Sequence, residues 1–145
     1  MKISLKSAFI GLPVPKLGPV LPTISAQLAA QAVAIIKART AKGLSTSLVP
    51  FRPYTARYAA WRKDRGLRAR PVNLRVSGAM LGALRVVQQR GALAEVGWTD
   101  ARQSVKAQAN ENLGRPFLGI TAQSDQKQMQ ARADALFRAA LPGVR

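Results

Sequence analysis

Four prolines, Pro13, Pro15, Pro19 and Pro22, stand ahead of the first stretch of this chain that can form a long helix. Proline fixes φ, lacks a backbone N–H and pushes the residue before it out of the helical region. Lys2 and Lys6 followed by apolar residues outline a secretion signal, but the prolines break the apolar helix that such a signal needs. Residues 1–22 are therefore expected to form an extended arm lying on its own domain or on a neighbouring subunit, with Leu5, Phe9 and Ile10 as its contacts. No run of about 18 apolar residues occurs, so neither a membrane-spanning helix nor a membrane partner is expected.

Beyond Pro22 the pattern changes. Ile24, Leu28, Ala32, Ile35 and Ile36 recur on one helical face, which predicts a helix over 24–41. Thr23 is its expected N-cap, Lys37, Arg39 and Lys42 complement the dipole at its end, and Gly43 closes it. Pro53 suits the first position of a second helix over about 53–65. There Tyr54, Tyr58 and Trp61 share one face and read as core. Gly66 ends that helix, and Arg68-Ala69-Arg70-Pro71 reads as a mobile basic linker. Ser77-Gly78 marks a turn into a short helical step through Met80 and Leu81. Residues 84–89 and 93–98 are the strand candidates, joined as a hairpin at Arg90-Gly91. A weaker helix is expected over 100–112, then a loop or short strand between Gly114 and Gly119. A last helix over 122–141 carries the stripe Met129, Ala133, Leu136, Phe137 and Ala140, with Thr121 or Ser124 as cap and Asp125 in its first turn. The expected fold class is α+β, with three to four helices packed on a small antiparallel sheet (hairpin about 84–98). The arm 1–22 precedes a single oligomerising domain, 23–145.

Composition then closes most catalytic routes. The 145 residues include no Cys and no His. Disulfides, Cys- or His-ligated metals, a Ser-His-Asp triad and a His general base are all excluded. Glu95, Asp100 and Glu111 are spread over predicted strand, turn and helix, with no spacing that points two carboxylates into one cleft. No enzyme activity, cofactor or metal is expected. The chain is 48% hydrophobic but only 6% aromatic, which predicts an Ala-rich core with further burial supplied by self-association.

Charge is the other strong constraint. Lys and Arg number 23 against 6 Asp and Glu, a net charge of +17, and no acid precedes Asp64. Such an excess calls for an anionic partner. The densest block is 51–75, where eight cations accompany a single acid. Arg52, Arg57, Arg62, Lys63, Arg65, Arg68 and Arg70 are its candidate contacts with an anionic surface, either nucleic acid or an acidic protein.

Three segments, in order, form a wider pattern. The first is Pro50-Phe51-Arg52-Pro53-Tyr54-Thr55-Ala56, followed by Arg62-Lys63. The second is Leu74-x-x-Ser77-Gly78-x-Met80-Leu81, leading into the hairpin that ends at Val96-Gly97. The third is Arg115-Pro116-Phe117-Leu118-Gly119-Ile120, followed by the helix containing Asp125. Over about residues 24–141 the chain resembles the virion-morphogenesis or tail-completion family of Mu-like and related tailed phages. Where that family has Thr-Gly, this chain has Ser77-Gly78. Its Tyr-Ala-x-x-His-Gln stretch is represented only by Ala107-Gln108-Ala109-Asn110.

The resemblance implies an α+β subunit of a homo-oligomeric ring at the head–tail junction, with no catalysis. It implies other neck, connector or tail proteins as partners, and packaged DNA in the lumen as a further one. The location it implies is the virion, reached from the host cytoplasm during assembly. The Arg115-Pro116-Phe117-Leu118 run is either an apolar plug within the chain or a subunit interface rimmed by Arg115. The alternative function is a basic nucleic-acid-binding module, which the charge favours, although no helix-turn-helix, zinc-finger or RNP-type motif is present.

Overall fold

The structure is a computed structural model and describes residues 2–6 and 18–141. Its elements are β1 (Lys2–Lys6), α1 (Leu21–Ala41), α2 (Ala56–Asp64), α3 (Ala79–Gly82), β2 (Arg85–Arg90), β3 (Leu93–Gly97), α4 (Ala101–Asn112) and α5 (Gln123–Ala140). This is the expected α+β fold. The sheet is antiparallel, in the order β1-β3-β2.

The hairpin turns at Gly91, whose φ of 54° suits a glycine. Val86 pairs with Val96 and Gln88 with Glu95, so Val87 is accommodated as a bulge in β2. Ala94 and Val96 alternate with half-buried neighbours and face the core. β1 pairs along the other edge of β3, with Leu5 opposite Ala94. Residues 2–6, part of the expected extended arm, thus lie in the chain's own sheet. Phe9 and Ile10 lie outside the described residues.

α1 crosses the sheet and also packs on α5. Ile24, Leu28, Ala32, Ile35 and Ile36 are all buried, as their spacing predicts. The helix begins earlier than expected. Ile24 N–H donates to the Val20 carbonyl at 3.0 Å, and Pro22 occupies the first turn. A proline there loses no helical bond, so it starts the helix and Thr23 becomes an exposed first-turn residue instead of the cap. By length and mean hydropathy (1.2), α1 would be able to cross a bilayer, although polar residues interrupt its apolar run. In this fold its apolar face is covered by β2, β3 and α5, as in a core helix.

α2 starts at Ala56 because Thr55 is extended and its hydroxyl accepts the Tyr58 N–H at 3.3 Å. Pro53 therefore precedes the cap. Asp100 caps α4 in the same way, through the Arg102 N–H at 2.8 Å. α5 has no side-chain cap: the Thr121 hydroxyl donates to the Thr46 carbonyl at 2.9 Å. The expected α5 stripe, Met129, Ala133, Leu136, Phe137 and Ala140, is only half-buried.

The core gathers Ile36, Phe51, Leu84, Val96, Trp98 and Phe117. Trp98 ties three elements together: its indole N–H donates to the Met80 carbonyl at 2.6 Å and its ring meets Phe117 edge-on. Gly43, at φ +79°, ends α1 against the loop after α2. A Cβ there would stand 2.7 Å from Pro71 Cβ and 3.0 Å from the Val72 carbonyl, so only glycine fits.

Candidate interaction site

Two places concentrate the chain's polar chemistry, and both are built around arginine. The first is the Arg115–Gly119 loop. Arg39, from the last turn of α1, reaches into it. Its Nη2 donates to the Phe117 and Gly119 carbonyls at 2.6 and 2.9 Å, and Nη1 is ion-paired to Asp125 of α5. Glu111 of α4 faces the loop from the other side. Its Oε1 accepts the N–H groups of Phe117 and Leu118 at 2.9 and 3.1 Å. Arg115 donates from Nε to the Arg52 carbonyl at 3.0 Å and from Nη2 to the Pro53 carbonyl at 3.2 Å. The loop has little regular structure of its own, so its backbone groups need these side-chain partners.

The interface assignment for this run is therefore corrected. Arg115, Phe117 and Leu118 are buried within the chain, Phe117 completely, and only Pro116 is exposed. They plug the core. Arg39, which the sequence placed as a helix-dipole residue, is the organising cation. The pairing of an α1 arginine with an α5 aspartate across so much sequence carries no local signal.

The second place is α2 and its surroundings. Arg62 was expected on an anionic-contact surface, but it is only 1% exposed. Its Nε donates to the Arg68 carbonyl at 2.7 Å and its Nη2 to the Arg75 carbonyl at 2.8 Å. Arg62 thus pins the segment that the sequence read as a mobile linker. Among the described residues its Nη1 finds no acceptor, and the guanidinium instead stands 4.8 and 5.9 Å from the ring centroids of Tyr54 and Tyr58. The Arg115 guanidinium is 5.0 Å from the same Tyr54 ring. Burial pushes the Tyr54 hydroxyl above its ordinary pKa of 10.0, against the opposing pull of Arg62 and Arg115.

Arg52, Arg57, Lys63, Arg65, Arg68 and Arg70 are exposed, as the sequence expected. The aromatic stripe beside them is half-buried where the sequence suggested core: Tyr54 packs against the core from its edge, and Tyr58 and Trp61 are not part of it. Tyr58 and Trp61 stack at 5.3 Å, and Arg65 lies 4.2 Å over the Trp61 ring.

Between α2 and α4 runs a groove of about 540 Å³. Tyr54, Tyr58, Leu74, Val76, Ala109 and Leu113 are among the residues that line it. Sequence reading missed it because its walls come from segments far apart in the chain. Among the described residues no group of three or more acids could hold a metal ion.

No protein-family model matches the sequence, and neither a curated protein nor a solved structure matches it significantly.

Proposed function

We propose that the chain is a structural virion protein of a tailed phage, assembling into a homo-oligomeric ring at the head–tail junction. The observation that carries this reading is the Arg115–Gly119 run. Taken in order with the upstream Ser77-Gly78-x-Met80-Leu81 it carries the family resemblance, and the fold uses it as a structural staple held by Arg39, Glu111 and Arg115. The carboxylates Asp125, Glu111 and Asp100 are engaged in an ion pair, a loop and a helix cap. A motif that serves packing suits an assembly protein. The half-buried stripe on α5 supports self-association, because a neighbouring subunit would complete its burial.

The test is fractionation of a lysate in which tailed particles assemble. The full chain should sediment with the particles and, once released, run as a closed oligomer of one size. A second reading, a nucleic-acid-binding module, draws on the exposed cations Arg52 to Arg70. A monomer that binds DNA with a steep salt dependence and never sediments with particles reverses the order.

A further inference from the structure

We infer that the groove between α2 and α4 docks an acidic segment of a different protein, anchored by apolar side chains. Three features of the groove support this. Its walls are apolar and open: Val76 is 49% exposed and Leu113 55%, and both line it beside Tyr54 and Tyr58. Large apolar side chains left in water in one cleft mark a contact surface. Its polar side is cationic. Arg62, Arg115 and Lys106 line it, and no carboxylate does.

Among the described residues, the two buried guanidiniums also have no carboxylate ion-paired to them. Arg62 and Arg115 donate to backbone carbonyls and face the Tyr54 ring. Neutral acceptors satisfy N–H groups but leave the positive charge uncancelled, and beneath apolar walls that charge is poorly screened. An incoming carboxylate gains from this field and an incoming cation loses.

The occupant follows from the same chemistry. A second copy of this chain is a poor partner, because no two of its six acids lie within four residues of one another. It has no acidic segment to offer. Nucleic acid needs open aromatic faces for its bases, and in the groove the Tyr54 ring is faced by Arg62 and Arg115 while the Tyr58 ring is stacked on Trp61. A peptide with carboxylates around apolar anchors meets both the walls and the field. The fit is the same whether or not the chain resides in a virion.

The test uses the full-length protein and a fluorescent peptide of Glu residues carrying a central Phe-Leu pair. Two probes serve as comparison: the same peptide with Ala-Ala at its centre, and a single-stranded oligonucleotide of equal charge. The Phe-Leu peptide should bind at least about tenfold more tightly than the Ala-Ala peptide, the discrimination expected of buried apolar anchors. Leu113→Glu and Val76→Glu, both in the groove lining, should each weaken it by about tenfold or more while leaving oligonucleotide binding unchanged. Both positions are exposed, and unchanged circular-dichroism melts verify the fold of each variant. Equal binding of the two peptides overturns the inference. So does oligonucleotide binding that both substitutions abolish, which would make the groove a nucleic-acid site.

Discussion

Breaking the Arg39–Asp125 pair should be among the most damaging single changes available. Its side chains are 3% and 6% exposed. Removing one member of such a pair leaves a charge in the interior and costs about 3–5 kcal/mol. The two members are not equivalent. Asp125→Leu leaves Arg39 with the Phe117 and Gly119 carbonyls, which partly accommodate it. Arg39→Met leaves an unpaired carboxylate and also strands both carbonyls, each worth about 1–3 kcal/mol when buried without a donor. Arg39→Met should therefore cost more. The double variant removes both charges and keeps only the stranded carbonyls, so it should be less destabilised than the sum of the singles. The assay is urea unfolding of all four proteins at pH 7. With m of about 1–3 kcal/mol per molar, Asp125→Leu should lower the midpoint by about 1 M or more. The coupling energy from the cycle should be several times the ~0.5 kcal/mol scatter of independent sites. Additive singles, or a loss below about 1 kcal/mol as at a surface pair, would refute this account.

Glu111→Ala strands the N–H groups of Phe117 and Leu118 and should cost about 2–4 kcal/mol in urea unfolding; Glu111→Gln keeps an acceptor oxygen and should cost markedly less. Phe117→Ala should destabilise the isolated protein by about 3–5 kcal/mol even at dilutions where no oligomer persists, because the ring is buried within one chain. Concentration-dependent loss would return it to an interface. Gly43→Ala should cost about 2 kcal/mol or more by thermal melting, combining a positive φ with a 2.7 Å approach to Pro71. In Tyr58→Phe, Tyr54 is the sole tyrosine, and its absorbance should titrate above 10.0. Because the folded state holds that proton more tightly than the unfolded chain, the contribution is complete below pH 10.0. It declines as pH rises through the folded pKa, and a flat stability profile there would count against Tyr54 burial.

The elements that one stretch of sequence determines by itself are the ones that could be read from it. The α1 face and the hairpin around Gly91 each rest on residues a few positions apart, and both stand in the structure. The start of α1 was misread because a threonine after a proline suits a cap, while Pro22 tolerates the first turn equally well. The aromatic stripe on α2 was misread for a different reason. Periodicity shows that Tyr54, Tyr58 and Trp61 share a face, but not whether another element covers it, and here they are left half-exposed, Tyr54 and Tyr58 along the groove. Arg39, Arg62 and Arg115 were invisible as interior residues, since an arginine reads as surface until its acceptors are known.

Those three arginines change what the charge of +17 means. Together they collect six backbone carbonyls, of Arg52, Pro53, Arg68, Arg75, Phe117 and Gly119, all outside helices and strands. A chain with long irregular connections leaves many carbonyls that no ladder satisfies, and the guanidinium, with five donors on a planar fork, satisfies several at once. Part of the basic excess is therefore a folding device, insulated from salt. The exposed cations from Arg52 to Arg70 are different: they repel one another in water and gain only from an external anion. Salt should act on the second group and spare the first. Partner binding should thus weaken steeply with ionic strength while unfolding stability changes little, and that divergence separates the charges that build the domain from those that connect it to something else.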